Sequence, residues 1–293
     1  MKMYVLSTLS LMLASAGYAA ETVNKTLDAD AKGDVSVEFV RGRVSVTGWD
    51  KNQVQVQGKL DDRSEGLVFE KRGNVIVIED KTERQLNRGE GSDLTIFVPR
   101  RCNLEVGVVS ADIMAKDIAG KSELQTVSGD IRAEKLGHVV ELQSVSGDIN
   151  LTGAGRNVSM ASVSGDIKAY ITAQTIEVEA VSGDINVRNE GELSRGDFTV
   201  VSGDVQVESA LSDDIDLELE SVSGSLVLTA RGAVNARINA ETGPGGDIVN
   251  ELTNDVPDEA EFTGAESLEI EVGNGKGRID ASVVTGNIEF RKK

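Results

Sequence analysis

A chain of 293 residues with 49 acidic against 30 basic side chains carries a formal net charge of −19, with one cysteine, one histidine and 3% aromatic residues. That balance repels phosphate backbones and anionic lipid, which argues against nucleic acid and simple membrane-surface partners. One cysteine excludes an intramolecular disulfide, and a single His beside a single Cys leaves almost no room for the usual zinc sites or nucleophilic triads.

Residues 1–19 read as a secretory signal. Lys2 is followed by a mostly apolar, uncharged run from Tyr4 to Ala16, and Gly17-Tyr18-Ala19 places small residues where cleavage after Ala19 needs them. The run is too short for a transmembrane helix, and no later apolar stretch could span a bilayer. Removal of Lys2 takes the net charge to −20. The expected location is the periplasm, with the cell surface or medium as alternatives.

Residues 20–104 form an atypical β-rich N-terminal cap or first coils. Val35, Val37 and Phe39 alternate, as do Val44 and Val46, then Val54 and Val56; Val75 to Ile78 and Leu94 to Val98 supply further strands. Asp61 to Gly66 and Glu83 to Ser92 read as polar loops, and Pro99 suits a strand end. Trp49 belongs to this cap. Cys102 reads as a small buried residue beside Leu104 and Val106.

Residues 105–293 are dominated by a repeat. VSADI at Val109 is followed by VSGDI at Val127, Val145, Val163 and Val181, each 18 residues on; VSGDV at Val201 and VSGSL at Val222 follow at spacings of 20 and 21. Glu241-Thr242-Gly243 is a degenerate copy and Val284 to Ile288 the last, with an irregular insertion at about 244–266 between them. Apolar residues recur three before and six after each motif valine, and Gly137, Gly155, Gly191 and Gly232 recur ten after it. Each unit reads as strand, glycine corner, strand and second turn. No such unit can bury an apolar face alone. The predicted fold is therefore all-β: a single-stranded β-solenoid of parallel coils about 4.8 Å apart, each Val, Ile and Leu resting on its counterpart in a core ladder. At roughly 2 kcal/mol per buried aliphatic side chain, these ladders, with the motif valines among them, supply most of the stability. Gly129, Gly147, Gly165, Gly183 and Gly203 permit the corner. Arg291-Lys292-Lys293 would discourage edge pairing at the far end.

Two polar columns accompany the corners: Ser128, Ser146, Ser164, Ser182 and Ser202, and Asp112, Asp130, Asp148, Asp166, Asp184 and Asp204. Stacked carboxylates about 5 Å apart repel by on the order of 1 kcal/mol per pair in water. In one reading each Asp caps its turn through backbone N–H groups and the serines hydrogen-bond along their column. In the other, the Asp column is a row of weak cation sites. The pattern differs from the glycine-rich nonapeptide of calcium-binding β-rolls, since it lacks paired glycines and has period 18. No cofactor is expected.

Catalytic readings find little support. His138 lies in a turn and its counterparts are Arg156, Gln174 and Glu192. The carboxylates form a ladder without a distinguished pair of the kind glycoside hydrolysis uses. Trp49, Tyr170 and Phe198 are scattered, and Tyr170 is out of phase with Ala169 and Ile171 and so faces outward.

The V-S-G-D-I units, the segment Asp93 to Pro99 (D-L-T-I-F-V-P) and the opening Gly42 to Asp50 (G-R-V-S-V-T-G-W-D) resemble those of a bacterial family of β-strand-repeat proteins. These are the toastrack domains, which carry an adhesin label; the resemblance covers nearly all of residues 34–290. It implies an envelope location, a single-handed β-solenoid and no agreed catalytic residues. Relatives often accompany membrane sensors or regulators of envelope stress, which implies a sensing or scaffolding role, although the transmembrane helices of some relatives are missing here. The function expected is a non-enzymatic exported module that binds an unknown protein or cell-wall ligand. The alternatives are a cell-surface adhesin or matrix component and, third, a polysaccharide-active β-helix enzyme.

Overall fold

Strict alternation of β-branched and polar residues, broken by glycine, favours strands with one buried face. The computed structural model describes residues 21–82, 91–153 and 155–293, and every regular element among them is a β-strand. The apolar segment 1–19 and positions 83–90 of the polar loop Glu83 to Ser92 lie outside the described residues. Among those described, no helix is long and apolar enough to cross a membrane.

In the middle of the chain the strands stack in parallel, each unit upon the last. Before the glycine corner come Ser122–Ser128, Val139–Ser146, Asn157–Ser164 and Thr175–Ser182; after it come Ile131–Glu134, Ile149–Thr152 and Ile167–Ile171. Like sits on like. Leu124, Leu142, Met160, Val178, Phe198 and Leu219 form one buried column before the corner. Ile131, Ile149, Ile167, Ile185 and Val205 form another beyond it. Both columns belong to one hydrophobic core that runs from Val23 to Phe290. The core crosses residue 104 without a break, because Asn103–Lys116 pairs along its length with Asp34–Trp49.

The rungs at the two ends are out of chain order. At the N-terminal end, Val75–Thr82 and Ser92–Pro99 lie on one side of Asp34–Trp49, and Asn103–Lys116 lies on the other. At the C-terminal end, Gly277–Thr285 lies between Val205–Ser223 and Ala236–Thr242. Ile288–Lys292 likewise lies between Leu226–Ala230 and Ile248–Asn250. The last copy in the sequence is therefore not the outermost rung. The outer edges carry antiparallel strands: Ser64–Arg72, and Gln53–Lys59 with Thr22–Asp28 beyond it, at one end, and Glu266–Val272 with Asp258–Glu259 beyond it at the other, where Ile248–Asn250 is a short parallel edge. Antiparallel edges end a stack that would otherwise offer a parallel template to further chains.

Several expectations need correction. Ser64–Arg72, which begins inside the anticipated loop Asp61 to Gly66, is a strand with a bulge between Ser64 and Gly66. The segment 244–266 contains the paired strands Ile248–Asn250 and Asp258–Glu259. The largest correction concerns the motif valines. Val109, Val127, Val145, Val163, Val181, Val201, Val222 and Val284 face outward, each 44–59% exposed, and do not join the core. The residue before each one points inward instead: Val108, Thr126, Ser144, Ser162, Ala180, Val200, Ser221 and Val283 are all buried.

Candidate functional site

The corner carries the motif residues, and its geometry follows from one backbone constraint. Gly129, Gly147, Gly165, Gly183, Gly203 and Gly224 have φ between +129° and +150°, a region that L side chains rarely adopt. Space is also missing: a Cβ on Gly147 would sit 2.0 Å from the Gly129 carbonyl oxygen of the rung before. Each glycine N–H donates to a carbonyl of the next rung, that of a serine as for Gly147 to Ser164 at 3.1 Å, or of Thr285 for Gly224 at 3.0 Å.

The aspartates supply an acceptor that the corner backbone does not. The N–H of Asp130 donates to Asp112 Oδ1 at 3.0 Å, that of Asp148 to Asp130 at 3.1 Å, and that of Asp166 to Asp148 at 2.9 Å. The series continues through Asp184 and Asp204 to the N–H of Ser225, which donates to Asp204 Oδ1 at 2.7 Å. Each carboxylate thus receives a backbone hydrogen bond from the rung above it, so the link runs between turns and not within one. Charge is offset as well. Arg132 Nη2 lies 2.8 Å from Asp130, and Lys168 Nζ lies 3.1 Å from Asp166. The Asp184 N–H, followed by Lys168, holds the Asp166 carboxyl below its ordinary value of 3.8, and Lys168 is raised in turn by Asp166. Among the described residues no group of three or more His, Cys, Asp or Glu side chains converges as metal ligands would. Nor does any hydrogen bond join the hydroxyls of Ser128, Ser146, Ser164, Ser182 and Ser202 among the described contacts; these serines are exposed and meet through their backbones. The hydroxyls buried near the corner belong to the inward column, where Thr126 Oγ1 donates to the Ala111 carbonyl at 3.2 Å, while those of Ser144, Ser162 and Ser221 have no hydrogen-bond partner among the described residues.

Outside the corner, the motif valines form a continuous apolar ladder. Beside it runs a shallow groove of about 570 Å³ floored by Gly107, Gln125, Gln143 and Ala161. A second groove, near the C-terminal end, is acidic: Glu218, Glu220, Glu241, Glu269 and Asp280 line it, and desolvation, then Glu220 and Asp197, raise the Glu218 carboxyl.

The remaining candidates are dispersed. His138 is exposed in a turn. Cys102 is fully buried, and burial, reinforced by Asp34, pushes its thiol up to about 12, which leaves it neutral and unreactive. Phe198 is a core residue. Trp49 stacks on Phe97 at 5.3 Å, lies under Lys51 and donates from Nε1 to the Gln53 carbonyl at 2.7 Å. Tyr170 is 49% exposed and faces outward, beneath Arg188. The valine ladder is the surface that sequence reasoning missed. Its signal was present in the odd spacing: alternation puts residues three apart, such as Leu142 and Val145, on opposite faces.

The family model Toastrack DUF4097 matches residues 23–255. Three solved structures are similar over most of the chain. A candidate adhesin from Parabacteroides distasonis ATCC 8503 is 12% identical, covering 92% of this chain and 97% of its own, with a TM-score of 0.48. One from Bacteroides fragilis NCTC 9343 is 12% identical over 93% and 97%, with a TM-score of 0.44. A candidate cell adhesion protein from Clostridium sporogenes ATCC 15579 is 11% identical over 94% and 100%, with a TM-score of 0.28. No curated protein matches the chain.

Proposed function

The chain belongs to the Toastrack DUF4097 family, and from that premise we propose that it is a non-enzymatic β-solenoid, exported to the periplasm, that binds a protein or cell-wall ligand and holds it in place. The observation that carries this reading is the register of side-chain columns from rung to rung, kept on both strands beside the corner and interrupted only between Asn189 and Arg195 among these pairings. Such a stack is stiff, and it repeats each outward residue type along a line, which suits an extended ligand. The polar corner residues satisfy one another and so serve the stack itself, which supports a surface role over a catalytic one.

Purified chain, immobilised and incubated with envelope extract and with isolated cell wall, is expected to retain a component saturably, and free chain should compete it off. Absence of any saturable component from both sources would overturn the proposal. The second reading, a surface adhesin or matrix component, rests on the same register. It requires the chain to be cleaved by protease added to intact cells, whereas a periplasmic protein survives until the outer barrier is opened.

A further inference from the structure

We propose that the exposed valine ladder is a self-association surface, and that two copies of this chain meet there face to face. The ladder runs from Val109 through Val284 at one valine per rung, on the order of 34 Å at 4.8 Å per rung. Eight half-exposed valines carry on the order of 500 Å² of apolar surface. A two-fold partner doubles that to about 1,000 Å², the threshold for a specific interface. The ladder's own period makes it self-complementary, because a second copy presents the same spacing along the whole line and an isologous contact needs one patch only.

Charge points to the same occupant. The molecule carries −19 overall, yet the ladder and the rows on either side of it are almost neutral. One flanking row is the exposed serines; the other runs through Gly107, Gln125, Gln143 and Ala161, with Glu179 and Glu220 as its charges. Acidic rows begin only beyond them, with Glu105, Glu123, Glu141 and Glu177 on one side and the aspartate column on the other. Two strongly acidic copies can therefore approach along this band with their carboxylates left at the rim in water. Rim repulsion makes association salt-dependent in an unusual direction: screening strengthens it, since the Debye length falls from about 10 Å at 0.1 M to about 3 Å at 1 M.

This inference does not depend on the ligand-binding reading, and its test needs no ligand. Sedimentation of the purified chain over a concentration series is expected to show a monomer–dimer equilibrium, about tenfold tighter at about 1 M salt than at about 0.1 M. The double variant Val145→Glu/Val163→Glu is expected to stay monomeric at both, with its far-UV spectrum unchanged because both positions face outward. Val163→Gln, which adds no charge, should weaken the dimer without abolishing it and serves if the double variant does not fold. Lys168→Glu, beyond the corner, should dimerise no more weakly at high salt than the parent chain does. A chain that is monomeric under all conditions overturns the proposal. So does a dimer that loosens with salt, or one that the ladder substitutions leave unchanged.

Discussion

Gly147→Val is expected to cost about 3–5 kcal/mol, and to lower the melting midpoint by roughly 10 °C, from strain at a forbidden φ plus overpacking. The residue has φ +150°, and its added Cβ would meet the Gly129 carbonyl oxygen at 2.0 Å. That oxygen is fixed in the adjacent rung, so neither side can yield without moving a whole column. Gly107 is the internal control. It is also a strand glycine, but a Cβ there meets nothing within 4 Å, so Gly107→Val should stay within about 0.5 kcal/mol of the parent chain. Thermal melts of the two variants check this, and equal midpoints would remove the corner's steric basis.

Leu142→Ala is expected to destabilise by about 2–5 kcal/mol, because it opens a cavity in a closed column. Leu142 is fully buried between Leu124 and Met160. Val145→Ala, three residues on, should change stability by no more than about 0.5 kcal/mol, since that side chain is already half in water. Denaturant titrations of the pair read the inside–outside assignment directly. A large loss at Val145 and a small one at Leu142 would invert it.

That assignment marks where the sequence was legible and where it was not. The 18-residue period, the glycine corner, and the Leu142 and Ile149 columns were readable because each is a local pattern repeated many times. The motif valine misled because it is the most regular apolar residue in the repeat, while the inward position before it varies among Val, Thr, Ser and Ala. Regularity there reflects an exposed ladder, and the buried neighbour is small or β-branched but not regularly apolar. Of the two readings the aspartate column allows, turn capping names the right donors, backbone N–H groups, but the receiving carboxylate belongs to the rung before, and a contact 18 residues away leaves no local trace. The end rungs were hidden for the same reason. Nothing near Val284 indicates that its strand slips between two earlier ones. Thr22–Asp28 buries Val23 alone among its residues and shows no alternation to read.

The stability of this chain and its outward surfaces both rest on vertical register, and paired cysteines test that register in solution. Ser146 and Ser164 are exposed partners on adjacent rungs. Their Cα separation of about 4.8 Å lies inside the disulfide range. Buried Cys102, with its thiol near 12, should stay out of the reaction. Mild oxidation of Ser146→Cys/Ser164→Cys is expected to give an intramolecular disulfide in nearly every molecule. Ser128→Cys/Ser164→Cys, two rungs apart at about 9.6 Å, should give none. An intramolecular disulfide in the second variant, or its failure to form in the first, would contradict the stacking of like upon like.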